Sequence, residues 1–121
     1  MRLLVLDIDD RVRCALQDVF QAELGAHVTA AASVPAVART QAFDVAVVDE
    51  RIASGISSEG RLRLEALARH VPVVVIGLGE RVPYEDAHIA AGAMGYWPKD
   101  GDLDALIALV RSAYQPRLAA A

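Results

Sequence analysis

The sequence predicts an α/β fold: one doubly wound parallel sheet of five strands with helices on both faces. Three observations lead there. The run Asp44-Val45-Ala46-Val47-Val48-Asp49 is apolar and rich in β-branched residues. It is short for a helix and lacks polar alternation, so it reads as a strand buried on both faces. Such strands belong to parallel sheets covered on each side by helices. Strand-like and helix-like segments then alternate strictly along the chain, which implies βαβ units with right-handed crossovers. Charge also collects at the strand ends: Asp7, Asp9 and Asp10 after the first, Asp49 after the third, Lys99 after the fifth. Chemistry in such sheets gathers beyond the C-terminal ends of the strands. Two acidic ends and a basic one should therefore converge on one edge.

Length and composition set the bounds. The chain has 121 residues and is 55% hydrophobic, enough for one domain with a sizeable core. No apolar run approaches the roughly 20 residues of a membrane span. The N-terminus opens on strand-like sequence without a signal-peptide pattern, so a cytoplasmic protein is expected. Cys14 is the only cysteine, which excludes an internal disulfide, and its helical neighbourhood predicts packing in or beside the core. A net charge of −4 and the lack of a basic run with interleaved aromatics argue against nucleic-acid binding.

Each element has its own signal. Arg2 to Asp7 is the first strand. Val12, Ala15, Leu16, Val19, Phe20 and Leu24 recur at helical spacing, with Asp9 or Asp10 as cap and Gly25 as a left-handed stop. His27 to Ala32 is a short strand. Ser33 and Pro35 open a helix to about Ala42. After the central strand, Glu50 to Ser58 is a polar loop, and a helix runs from about Glu59 to His70. Val71-Pro72 leads into the strand Val73-Val74-Val75-Ile76, ending at Gly77. Gly79 to Pro83 reads as a loop, Tyr84 to Ala91 as a helix stopped by Gly92. Met94 to Trp97 is the fifth strand. Asp102 caps a last helix through Leu103, Leu106, Ile107, Val110 and Tyr114. The domain is placed at residues 1–115, with residues 116–121 as a frayed C-terminal tail. His27, His70 and His88 are scattered and read as surface or helix-end residues.

In this order the motifs resemble the receiver domain of two-component response regulators, over about Arg2 to Tyr114. Asp49 matches the phosphoacceptor, Lys99 the lysine after strand five, and Tyr96 the aromatic switch residue. Ala91-Gly92-Ala93-Met94-Gly95-Tyr96 resembles the family's approach to strand five. The resemblance implies a flavodoxin-like sheet in the order 2-1-3-4-5. It implies phosphoryl transfer from a histidine kinase or phosphotransfer protein to Asp49, with a downstream protein partner. At most it implies autocatalytic phosphoryl acceptance and autodephosphorylation, not turnover of a separate substrate. It implies Mg²⁺ held by acids after strand one (Asp7, and Asp9 by a loop shift), by Asp49 and by the backbone carbonyl of Arg51. The cation offsets the charge on phosphorus, and Lys99 helps hold it. The family often dimerises through the fourth helix, fifth strand and fifth helix, where Arg81, Glu85, Asp104 and Arg111 offer charged contacts.

The departures define an atypical receiver. The second acid of the usual pair is Ile8, which cannot bind a cation and should weaken any Mg²⁺ site. Gly77 replaces the usual Ser or Thr of strand four, and Ala53 and Ser54 stand near the usual proline. The Arg51 side chain could enter the acidic pocket and replace the metal's charge. Two outcomes stay open: phosphorylation on Asp49, or a degenerate module that binds partners without it. A second resemblance is to haloacid-dehalogenase-type phosphohydrolases. There Asp7 would be the nucleophile and Asp9 the general acid/base, although the Thr expected after the second Asp is missing.

Overall fold

The computed structural model describes residues 1–34, 42–79 and 81–120. Five strands and, among the described residues, four helices follow one another: β1 (Arg2–Leu6), α1 (Asp10–Leu24), β2 (His27–Ala31), β3 (Val45–Asp49), α2 (Ser58–Ala68), β4 (Val73–Gly77), α3 (Arg81–Ala90), β5 (Gly95–Pro98) and α4 (Leu103–Ala120). The helix expected over Pro35 to Ala42 lies outside the described residues, apart from Ala42 in a turn. The strands form one parallel sheet in the order β2-β1-β3-β4-β5. The order reverses between β1 and β3, so their C-terminal ends open the crevice where α/β sheets hold ligands.

Strand alternation divides the core into two halves. Leu3, Val5, Val45, Val47, Val74 and Ile76 face Leu16 and Phe20 of α1 and Leu106, Ile107 and Val110 of α4. Leu4, Leu6, Ala46, Val48, Val73 and Val75 face Leu64 and Leu67 of α2, together with Ala91, Ala93 and Tyr96. All five residues of β3 and of β4 are buried, as expected of strands covered on both sides.

Caps fix the helix starts. Asp9 accepts from the Arg11 amide at 2.9 Å, Ser57 from the Gly60 amide at 3.0 Å, and Asp102 from the Asp104 amide at 3.1 Å. Gly25 closes α1 at φ 58°, the left-handed conformation that glycine adopts without strain.

Several expectations are corrected. Cys14 is exposed. It lies two residues from Leu16, roughly opposite the apolar stripe of α1. Helix α3 begins at Arg81, inside the stretch expected to be a loop, because Pro83 falls in a first turn that needs no amide donor. Helix α4 runs to Ala120, past Pro116. His88 is fully buried, not at the surface. Among the described residues no helix is long and apolar enough to cross a membrane.

Candidate functional site

The C-terminal edge of the sheet brings Asp7, Asp49 and Lys99 together. Asp7 follows β1, Asp49 ends β3, and both are buried. Lys99 follows β5 and is aligned by its amide, which donates to the Gly77 carbonyl at 2.8 Å. Its ammonium lies 2.8 Å from Asp7 Oδ2 and bonds directly to Asp49 Oδ2. The contact to Asp7 is an ion pair without hydrogen-bond alignment, since Asp7 Oδ2 has no hydrogen-bond partner.

A second cation completes the pocket. The chain turns immediately after β3, and the Arg51 side chain folds back over the strand end. Its Nε donates to Asp49 Oδ1 at 2.9 Å, and its Nη2 lies 3.2 Å from Asp7 Oδ1 and 3.3 Å from Asp49 Oδ2. The Arg51 amide also donates to Asp49 Oδ1 at 2.7 Å. Asp49 therefore accepts two hydrogen bonds on each oxygen, about the full capacity of a carboxylate. Two buried negative charges face two positive ones, and the pocket is formally neutral.

The ionisation of these groups follows from the pairing. Burial alone would raise the pKa of Asp49, but hydrogen bonds from Arg51 and Lys99 outweigh it and the net shift is downward. Burial works to lower the pKa of Lys99, yet its hydrogen bond to Asp49 and the negative charges of Asp49 and Asp7 hold it above its ordinary value. Hydrogen bonding to Asp49 raises that of Arg51.

The expected metal set is not assembled. Asp9 stays at the solvent rim with its Oδ1 on the Arg11 amide. Asp10 pairs with Arg13, whose guanidinium also ties down the carbonyls of Asp7 and Ile8. Ile8 is exposed. Among the described residues no group of three or more His, Cys, Asp or Glu is placed to hold a metal ion. Asp7 and Asp49 would fit a divalent cation as two ligands, but the Arg51 guanidinium occupies the space that joins them. The residues as arranged do not fit Mg²⁺. Asp9 is also poorly placed as a general acid/base beside Asp7, so the phosphohydrolase alternative gains no support.

The other side of the crevice joins the expected Tyr96 and Gly77 to Glu50 and His88, which the sequence reading missed. Tyr96 is buried, with its hydroxyl donating to the Gly79 carbonyl at 2.7 Å and lying 3.2 Å from Glu50 Oε2. Burial and the Glu50 charge push its pKa upward. Glu50 Oε1 accepts from the Gly79 amide at 3.2 Å. A Cβ at Gly77 would overlap Glu50 Cδ and Oε2. The space of the missing hydroxyl residue is thus filled by Glu50. His88 stacks on Tyr96 with ring centroids 4.8 Å apart. Its Nδ1 accepts from the Gly55 amide at 3.0 Å, and its Nε2 is 4.0 Å from Glu50 Oε2. A side chain at Gly55 would collide with the Ala87 carbonyl, so the loop after β3 seats directly on α3. The signal for His88 was its spacing, three residues before the buried Ala91 in one helical stretch.

No protein-family model matches the sequence, and no curated protein matches it significantly. Solved structures do match in shape. A response regulator receiver domain protein from Clostridium thermocellum superposes with a TM-score of 0.79 at 16% identity, covering 99% of this chain and 98% of that one. The receiver domain of Francisella response regulator 1452 gives 0.74 at 20% identity, covering 96% and 98%. A Burkholderia pseudomallei response regulator, described with a phosphorylated aspartic acid, a calcium ion and citrate, gives 0.72 at 18%, covering 98% of this chain and 71% of that one. These likenesses extend over almost the whole chain, and with the sheet order they show that it has the fold of response regulator receiver domains.

Proposed function

We propose that this chain is a receiver-type signalling module that engages a protein partner without phosphorylation on Asp49. The observation that carries this reading is the hydrogen-bond saturation of Asp49. An attacking carboxylate needs a lone pair directed at phosphorus, and here Arg51 and Lys99 occupy both oxygens. The switch side supports the same reading. Tyr96 is held inward by Gly79 and Glu50, and Gly77 offers no hydroxyl to follow a phosphoryl group. The module is not an enzyme in this reading.

The partner surface is the face built by α3, β5 and α4. A shallow cavity of about 510 Å³ lies there, lined by Glu85, Trp97, Pro98, Ala105 and Leu109 among others. Asp104 and Arg111 are exposed on the same helix α4, while the side chain of Arg81 is outside the described residues. A downstream protein, a histidine kinase or phosphotransfer protein, or a second copy of the chain would dock on it in a cytoplasmic setting.

The test is intact mass after incubation with acetyl phosphate and Mg²⁺, on wild type and on Asp49→Asn. No adduct on either is expected. An adduct on wild type alone would overturn the phosphorylation-independent reading and make Asp49 a working acceptor. An adduct surviving in Asp49→Asn would shift attention to Asp7 and phosphohydrolase chemistry.

A further inference from the structure

We propose that Arg51 is the pocket's own cation: its guanidinium stands where a divalent ion would bridge Asp7 and Asp49, and its removal opens a latent divalent-cation site. The inference rests on the receiver reading of the pocket and adds how that pocket is regulated.

Charge gives the first reason. Two buried carboxylates share one ammonium, Lys99, and a single cation leaves one negative charge without compensation. Buried charges persist only when paired or bound to metal. Arg51 supplies the missing charge from the residue two positions after Asp49.

Geometry gives the second. The guanidinium reaches Asp7 Oδ1 at 3.2 Å and Asp49 Oδ1 at 2.9 Å, so it occupies the bridge between the two carboxylates. A planar fork satisfies both acids at once, which suits a site with Ile8 where a third ligand would stand.

A third observation concerns what would remain without it. Asp7 is fully buried; without Arg51 its Oδ1 keeps only the Asp9 amide, at 2.8 Å, while its Oδ2 stays beside the Lys99 ammonium. The Arg51 side chain is 49% exposed, so deleting it connects the two carboxylates to bulk water. Mg²⁺ and Mn²⁺ favour such a setting: one or two carboxylates, with waters filling the other positions.

Calorimetric titration of Mn²⁺, repeated with Mg²⁺, tests this on the full chain as wild type, Arg51→Ala, Arg51→Gln and Arg51→Ala/Asp49→Asn. Both single variants should bind Mn²⁺ at least about tenfold more tightly than wild type, and the double variant should lose that gain. Arg51→Gln keeps most of the side-chain volume and guards against a folding defect in Arg51→Ala, with thermal melts run alongside. Wild-type binding equal to that of both single variants would overturn the proposal. So would folded single variants that show no gain. Acetyl phosphate labelling of metal-loaded wild type answers separately: a labelled wild type with a gain in Arg51→Ala would sink the phosphorylation-independent reading and leave this inference standing.

Discussion

Glu50 and Arg51 are consecutive, yet they reach in opposite directions and fill opposite halves of the crevice. Arg51 turns toward β1 and bonds only to carboxylates. Glu50 turns toward β4 and β5 and is held by the Gly79 amide and beside the Tyr96 hydroxyl. The Arg51 side chain is 49% exposed and that of Glu50 only 19%. Arg51 is therefore a plug of charge that solvent can reach and salt can weaken. Glu50 is a plug of shape, accommodated because Gly77 has no Cβ and backed by the His88–Tyr96 stack. One turn thus closes the Asp49 half of the crevice by charge and the Tyr96 half by shape.

Breaking the charge side at its buried member should have the largest effect. Lys99→Met leaves Asp7 and Asp49 buried with only the half-exposed Arg51, and should cost about 3–5 kcal/mol in urea unfolding at pH 7. Gly77→Ala comes next. The new methyl group expels Glu50 from its place, with an expected cost of about 1–3 kcal/mol. Most of that cost should vanish when Glu50→Ala is already present, because the two changes share one contact. Additive costs in this double-mutant cycle would show that Glu50 and Gly77 are not coupled. Arg51→Met should cost less than Lys99→Met, about 1–2 kcal/mol, since water reaches the place of the half-exposed guanidinium and replaces part of what Asp7 and Asp49 lose. If Arg51→Met proved as damaging as Lys99→Met, the contrast between a reachable and an unreachable plug would be wrong.

The sequence was most legible where one force dominates. Buried parallel strands show as unbroken Val-rich runs, so β3 and β4 were placed within a residue or two. Caps such as Asp9, Gly25 and Asp102 act locally and were readable for that reason. The meeting of Asp7, Asp49 and Lys99 followed from topology, because strand ends of one parallel sheet share an edge. The approach of Arg51 to the pocket was readable as an option, since it lies two residues from Asp49. What stayed hidden depends on contacts between distant segments. Nothing near His88 in sequence shows that Gly55 will donate to its ring, 33 residues away. The role of Gly77 is equally nonlocal: as a residue it only lacks a hydroxyl, whereas in the fold it makes room for Glu50. Cys14 is a simpler case: a helical neighbourhood alone does not tell the face, and position 14 falls two residues from Leu16, away from the core.

The smallest expected effect is one of pH, and it probes the hidden contact. Burial lowers the pKa of His88, with Glu50 opposing part of the shift. A lowered value means that the folded chain binds the proton less readily than the unfolded one. The stability tied to neutral His88 is therefore complete above the unfolded value of about 6.5 and is lost as pH falls toward the folded one, by at most about 1.4 kcal/mol per pH unit. The geometry supplies the reason. Nδ1 accepts the Gly55 amide, and a proton there would set two donors against each other. Asp49, whose pKa is also lowered, loses its contribution in a separate and more acidic window, below its ordinary 3.8. Urea midpoints at pH 7.5 and 5.5 should therefore differ for wild type and differ less for His88→Gln, which cannot take up the proton. A wild-type pH dependence retained unchanged in His88→Gln would assign the loss to another group, and the contact between Gly55 and α3 would then be packing without a titrating element.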